Sequence, residues 1–160
     1  MGRWLGIDHG TKRIGVAVGD ASVSIATPLS VLESADFDHI AAKLTELASE
    51  HRAAGAVVGW PLNMDDTEGP QGKLARQFAA DLADRTELDV RLWDERLSSF
   101  QADQALAGTF TRKKKKARQD AIAAAVILQD FLSAGGPQGA PRPEEVADGD
   151  SHFSTSPRET

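Results

Sequence analysis

Residues 3–20, RWLGIDHGTKRIGVAVGD, decide the fold of this chain. They hold two short apolar runs separated by Thr11 and Lys12, and in the second run apolar and small residues alternate. A period of two indicates a strand, so the stretch predicts a β-hairpin. Residues 24–33 predict a third strand. Because Pro28 cannot donate a ladder hydrogen bond, this third strand is expected at an edge of the sheet.

Beyond the hairpin, helices alternate with short strands. Apolar spacing predicts helices at about 36–52 and 71–85, strands at 56–60 and 89–94, a short helix after Ser98, and a buried last helix over about 118–133. Each strand–helix–strand crossover implies a parallel pair of strands. The sequence therefore predicts an α/β fold with a mixed five-stranded sheet and helices on its faces.

Composition limits the class of protein and the domain count. The 160 residues, 41% hydrophobic and 26% charged, suffice for one globular domain. No apolar run approaches the roughly 20 residues of a membrane span, and no secretory leader opens the chain, so we expect a cytoplasmic protein without a membrane partner. The absence of cysteine excludes disulfide scaffolds, thiolate zinc sites and thiol nucleophiles.

The C-terminal part of the chain differs in composition from the rest. Residues 134–160 contain four of the seven prolines and four of the fourteen glycines, and few apolar side chains. We therefore expect a folded domain over residues 1–133 and a disordered, dispensable acidic tail over 134–160.

Charge is distributed unevenly along the chain. The net charge is −6, yet the stretch RKKKKAR at 112–118 alone carries +6. A concentrated positive patch is typical of contact with a nucleic-acid phosphate backbone, which needs point charges rather than base-specific geometry. A solvated loop is the alternative interpretation of the same run.

Three acidic residues occupy positions at the ends of predicted buried elements: Asp8, Glu95 and Asp120. Each alone has a structural explanation, as a turn former, an ion-pair partner or a favourable charge at a helix N-terminus. If they converge at one edge of the sheet, they repel one another unless a cation lies between them. Oxygen ligands alone favour Mg²⁺ or Mn²⁺ over zinc.

Four ordered motifs resemble those of the YqgF family, bacterial proteins associated with pre-16S rRNA processing and also described as Holliday-junction-resolvase-like. The motifs are GIDHGTKRIGVAVGD (6–20), GWPLNMDDTEGPQ (59–71), DERLSS (94–99) and KKKKARQDAIAAAVILQDFL (113–132). The resemblance covers about residues 3–133. It implies the ribonuclease H-like fold and a metal-dependent phosphodiesterase.

The resemblance also implies roles for individual residues. Asp8, Glu95 and Asp120 match acidic positions that would hold Mg²⁺ or Mn²⁺ and activate water. Two departures from the family pattern are Asp66, where a glycine is expected, and a Ser-Ser pair in place of threonines at 98–99. The candidates for contact with nucleic acid are Thr11, Lys12, Arg13, Asn63, Arg112, Lys113, Lys114, Lys115 and Lys116.

Several functions stay open from the sequence. A nuclease that processes the 5′ end of pre-16S rRNA is the first interpretation, and a resolvase of branched DNA, expected to be a symmetric dimer, is the second. A non-catalytic nucleic-acid-binding module of the same fold is the third. Sugar kinases and actin-type ATPases share the first motif, but they need two related domains to enclose a nucleotide. The sequence indicates no particular oligomeric state.

Overall fold

The computed structural model describes residues 2–33, 36–95 and 112–146, with side chains at 112–118 outside that description. The short helix predicted after Ser98 lies outside the described residues. None of the described helices is long and apolar enough to cross a membrane. The strands are β1 (Arg3–His9), β2 (Ile14–Asp20), β3 (Ile25–Leu32), β4 (Ala53–Trp60) and β5 (Asp89–Asp94), and the helices are α1 (Phe37–His51), α2 (Pro70–Arg85) and α3 (Arg112–Ser133).

The strands form one mixed sheet in the order β3-β2-β1-β4-β5. Antiparallel pairing joins β1 to β2 and β2 to β3, whereas β4 runs parallel to β1 and β5 parallel to β4. The predicted hairpin, the mixed five-stranded sheet and the edge position of β3 are confirmed. Because β1 is central, its C-terminal residues lie between the ends of β2 and β4.

Helices cover both faces of the sheet. On one face, Leu5 and Ile7 of β1 belong to a buried cluster that includes Leu44 of α1 and Leu82 of α2. On the other face, a second cluster joins β-strand side chains to α3, and Phe131 is fully buried in it. Burial on both faces explains why β4 is almost continuously apolar.

Glycines let α3 lie directly on the sheet. A Cβ at Gly6 would lie 2.7 Å from the carbonyl oxygen of Ala124, and one at Gly15 would lie 2.0 Å from that of Asp120. No side chain larger than hydrogen fits at that spacing. The glycines of the first motif therefore fix the height of α3 above β1 and β2.

One predicted helix boundary is wrong. The last helix begins at Arg112 rather than at about 118, so the basic run forms its first turns and Asp120 lies well inside it. Lysine, arginine and alanine are good helix formers, which outweighs the repulsion among the lysines. The predicted end of the first helix at about residue 52 is confirmed, since α1 ends at His51 and Arg52 takes a left-handed conformation with φ of 57°.

The predicted disordered tail is wrong for residues 134–146. This segment forms two 3-10 helices, Gly136–Gly139 and Pro143–Glu145, and returns to the sheet beside β5. Proline at the start of each short helix presets its φ angle, so the same composition that suggested disorder supports compact turns. Residues 147–160 lie outside the described residues, and for them the tail stays a prediction.

Contacts with β5 hold this segment in place. The Leu92 N–H donates to the Pro141 carbonyl at 2.9 Å, and Arg91 Nη1 donates to the carbonyls of Pro137 at 2.7 Å and Ala140 at 2.9 Å. The Ala140 side chain is buried in the core cluster beneath α3. The segment therefore supplies hydrogen-bond acceptors to an edge strand that would otherwise expose its N–H groups.

Candidate active site

Asp8 and Asp120 are brought together by a glycine. Asp8, near the end of β1, lies directly opposite Gly15 in the antiparallel register of β1 and β2. The backbone of Asp120 rests on that same glycine. The two carboxylates consequently come close enough for the negative charge of one to act on the other.

Glu95 joins them from β5. It follows the last residue of that strand, and its N–H donates to the Trp60 carbonyl at 3.4 Å. Its side chain lies over Gly59 of β4, where a Cβ would be only 2.3 Å from Oε1 of Glu95. A second glycine thus leaves room for a carboxylate to lean toward β1 and Asp8.

The carboxyl groups of Asp8 and Glu95 lie where negative charge is costly. Burial, and secondarily the charge of Asp120, raises the pKa of Asp8 to about 6. Burial, followed by the charges of Asp8 and Asp94, raises the pKa of Glu95 to about 7. Desolvated carboxylates that repel one another are a setting in which a bound cation is strongly favoured.

Arg13 supplies a positive charge at one side of the cluster. A tight turn, closed by the Gly10 N–H donating to the Arg13 carbonyl at 3.0 Å, returns the chain toward α3. Arg13 Nε then donates to Oδ2 of Asp120 at 2.8 Å, with both side chains about one-fifth to one-quarter exposed. Thr11 and Lys12, at the tip of the same turn, are exposed.

The donor set fits a divalent cation in its chemistry, since all three candidates offer carboxylate oxygens. Within residues 2–33, 36–95 and 112–146, however, no three acidic or histidine side chains form a group that could already hold a metal ion. Asp8 interacts electrostatically with both Glu95 and Asp120, but the carboxylate of Asp120 accepts a hydrogen bond from Arg13. That Asp8, Glu95 and Asp120 hold one metal therefore stays a prediction.

Asn63 lies in the loop after β4, and hydrogen bonds within that loop hold its side chain and backbone. Its Nδ2 donates to Oγ1 of Thr67 at 2.8 Å, and its backbone N–H donates to the Thr67 carbonyl at 2.8 Å. Asp66 has φ of 72°, the left-handed conformation that glycine adopts without strain. The departure from the family pattern at Asp66 thus leaves a left-handed turn in place.

A buried ion pair anchors this loop, and sequence reasoning missed it. The side chains of Glu68 and Arg76 are each less than a tenth exposed, and Arg76 donates to both carboxylate oxygens, at 2.8 and 3.2 Å. Trp60 Nε1 also donates to Glu68 at 2.9 Å. The eight-residue separation of Glu68 and Arg76, across a loop and two turns of helix, carries no recognisable periodic signal.

The basic run lies upstream of Asp120 on the same helix. Residues 112–118 form its first two turns, so at 1.5 Å per residue their backbone begins about 12 Å from Asp120 along the axis. The helix therefore connects the predicted phosphate-contacting segment rigidly to a candidate metal ligand.

Comparison with known proteins bears on the family and the fold of the chain. A family model described as RuvX, Holliday junction resolvase, matches residues 2–134. In solved structures, the fold is similar to that of Thermus thermophilus RuvC in complex with a Holliday junction substrate, with a TM-score of 0.52 and 18% identity over 88% of this chain and 99% of the other. The ribonuclease H-like fold is thereby confirmed.

Curated relatives are much more similar in sequence. A "Putative pre-16S rRNA nuclease" of Cereibacter sphaeroides is 45% identical over 132 residues, which is 82% of each chain. A protein of the same name from Opitutus terrae is 46% identical over 147 residues, 89% of this chain and 99% of the relative. With identity at this level across most of its length and a family model spanning the sheet and α3, the chain belongs to the RuvX family.

Proposed function

We propose that this protein is a metal-dependent nuclease that hydrolyses phosphodiester bonds, with the 5′ end of pre-16S rRNA as its substrate. The proposal is supported by two partly buried carboxyls, Asp8 of β1 and Glu95 just after β5, and by Asp120 of α3. The charge of Asp8 acts on Glu95, and the charge of Asp120 acts on Asp8. Carboxyl groups whose pKa values are raised by burial and by neighbouring negative charge are frequent at catalytic and metal-binding sites.

Asp8, Glu95 and Asp120 are the residues that would hold Mg²⁺ or Mn²⁺. When bound, the cation lowers the pKa of water and stabilises charge on the leaving oxygen. The protein's own contribution is to present the three carboxyls from β1, from the residue after β5 and from α3, with Gly15 and Gly59 leaving space for them. Burial limits their contact with water, which strengthens their interaction with a cation.

Substrate binding falls to the exposed and basic residues around the carboxylates. Thr11 and Lys12 stand at the tip of the β1–β2 turn, and the basic run at 112–118 extends along the N-terminal turns of α3. Lysine contacts to phosphate give affinity without sequence preference. We assign to these two elements the task of guiding a nucleic-acid backbone toward the carboxylates.

Branched DNA is the second candidate substrate. The matching family model is described as a Holliday junction resolvase, whereas the curated relatives carry the name of a pre-16S rRNA nuclease. We rank RNA first because these relatives, 45% and 46% identical to this chain, carry the rRNA nuclease name. A resolvase would also require two active sites related by a twofold axis.

A direct comparison of substrates tests the proposal. End-labelled pre-16S rRNA fragments and four-way DNA junctions are incubated with the protein in Mg²⁺, in Mn²⁺ and in EDTA, alongside Asp8→Asn. We expect cleavage of the RNA near the mature 5′ end in either metal, and none in EDTA or with Asp8→Asn. Cleavage of the junction alone would reverse the order of substrates, and cleavage in EDTA would refute metal dependence.

A further inference from the structure

Arg13 faces inward although its neighbours in the turn face solvent. Lys12 is exposed, whereas Arg13 is about one-fifth exposed and donates a charge-assisted hydrogen bond of 2.8 Å to Asp120. Two features fix the position of Arg13. One is the turn closed by the hydrogen bond between Gly10 and Arg13, and the other is the close approach of Asp120 to β2 at Gly15. A cation of the protein itself therefore lies on a candidate metal ligand.

We propose that Arg13 is a positioning residue with two partners: it holds Asp120 in the metal-free enzyme and turns to a substrate phosphate when Asp120 serves a divalent cation. This inference rests on the proposed function, because it takes Asp120 to be a metal ligand. It assigns to Arg13 an effect on metal affinity, opposite in sign to its effect on nucleic-acid affinity.

The first partner follows from charge. Asp8 and Asp120 repel each other, and the guanidinium compensates part of that repulsion from the Asp120 side. A positive charge 2.8 Å from one Asp120 oxygen disfavours a second positive charge on the same carboxylate. Arg13 and a metal ion are thus competitors for Asp120, and removing the guanidinium should strengthen metal binding.

The second partner follows from position. The turn that carries Arg13 also presents Thr11 and Lys12 to solvent, beside the end of β1 where Asp8 lies. Rotation about the Arg13 side-chain bonds would bring the guanidinium toward this open side without moving the backbone. Its planar array of donors matches the oxygens of a phosphate, which makes a phosphodiester the natural alternative to a carboxylate.

Metal binding in the absence of substrate tests whether Arg13 competes with a metal ion for Asp120. Mn²⁺ is titrated calorimetrically into the wild-type protein, Arg13→Gln and Lys12→Gln. The two variants lose the same charge from the same turn, but only one loses the bond to Asp120. We expect Arg13→Gln to lower the Kd for Mn²⁺ about threefold or more, and Lys12→Gln to change it much less. Equal effects in the two variants would overturn the inference.

Nucleic-acid binding in EDTA tests whether Arg13, once released from Asp120, contacts a substrate phosphate. This test does not depend on the stability of Arg13→Gln. Asp120→Asn weakens the attachment of Arg13, whereas Asp8→Asn removes the same negative charge and leaves that ion pair intact. We expect fluorescence anisotropy to show tighter binding of labelled RNA to Asp120→Asn than to Asp8→Asn. Equal binding by the two variants would show that Arg13 does not exchange partners.

The outcomes separate this inference from the proposed function. If the wild-type protein binds Mn²⁺ and cleaves nucleic acid, but the paired variants behave alike, only the role of Arg13 is refuted. If the paired variants differ as expected and no substrate is cleaved, the role of Arg13 stands and the nuclease proposal fails. Absence of Mn²⁺ binding in the wild-type protein and both turn variants would refute both.

Discussion

At Asp8 and Glu95, burial opposes the negative charge that metal binding requires. Their raised pKa values, about 6 and about 7, mean that the folded, metal-free protein holds these protons more tightly than the unfolded chain does. The contribution of the two groups to stability is therefore lost as pH rises from about 4 to about 7. Metal affinity should increase over the upper part of the same range, because the ligands must be deprotonated.

This linkage predicts that Asp8→Asn increases the thermal stability of the metal-free protein in EDTA, and that the increase depends on pH. Raising the pKa of Asp8 from 3.8 to about 6 corresponds to roughly 3 kcal/mol, and about 1 kcal/mol changes the Tm of a domain this size by roughly 2–4 °C. We expect Asp8→Asn to melt several degrees above the wild-type protein at pH 8, and the difference to shrink toward pH 5. Thermal unfolding followed by circular dichroism measures it. A difference that is constant from pH 5 to pH 8 would contradict the assignment of the charge penalty to Asp8.

At the scale of secondary-structure elements, the distance between α3 and the hairpin is what brings the carboxylates together. Gly15 of β2 lies opposite Asp8 of β1 and under the backbone of Asp120 in α3. This single position therefore affects the hairpin, the packing of the helix and the spacing of the carboxylates. The apolar periodicity of the sequence was sufficient to predict the strands and the helix that packs on them. It could not predict that the helix begins at Arg112, because propensity and charge repulsion favour opposite outcomes there.

A methyl group at Gly15 should disrupt this packing. Its Cβ would lie 2.0 Å from a backbone oxygen, so the helix itself would have to move. We expect Gly15→Ala to lower the Tm by about 6 °C or more, from an overpacking cost of about 3 kcal/mol or above, or to prevent folding. Gly139→Ala is the matched control, since its nearest neighbour lies at 3.8 Å. A wild-type Tm for Gly15→Ala would show that α3 does not lie as close to β2 as described.

At the level of the whole molecule, the chain after α3 returns to the edge of the sheet and packs beside β5. Residues 134–146 pack beside β5 through acceptors for Leu92 and Arg91, and Ala140 enters the core. Composition alone could not predict this, because the contacts are made by backbone carbonyls, whose position depends on the tertiary fold. For the same reason the sequence identified Arg13 as a residue near substrate but not as the partner of Asp120.

Truncation tests where the folded unit ends. A chain ending at Ser133 loses the acceptors of Leu92 and Arg91 and exposes β5, so we expect its Tm to fall by about 4–8 °C, for a loss of roughly 2 kcal/mol. A chain ending at Val146 keeps those contacts and should melt like the full-length protein. Equal melting temperatures for the two truncations would show that residues 134–146 do not stabilise the domain.

Calorimetric Mn²⁺ titration of the wild-type protein and three single variants shows whether Asp8, Glu95 and Asp120 share one divalent-cation site. Asp8→Asn, Glu95→Gln and Asp120→Asn should each weaken binding by about tenfold or more, as expected when one of a few carboxylate ligands is lost. Circular dichroism confirms that each variant is folded. Mn²⁺ binding of wild-type affinity in any folded variant would contradict the claim that these three residues form a single site.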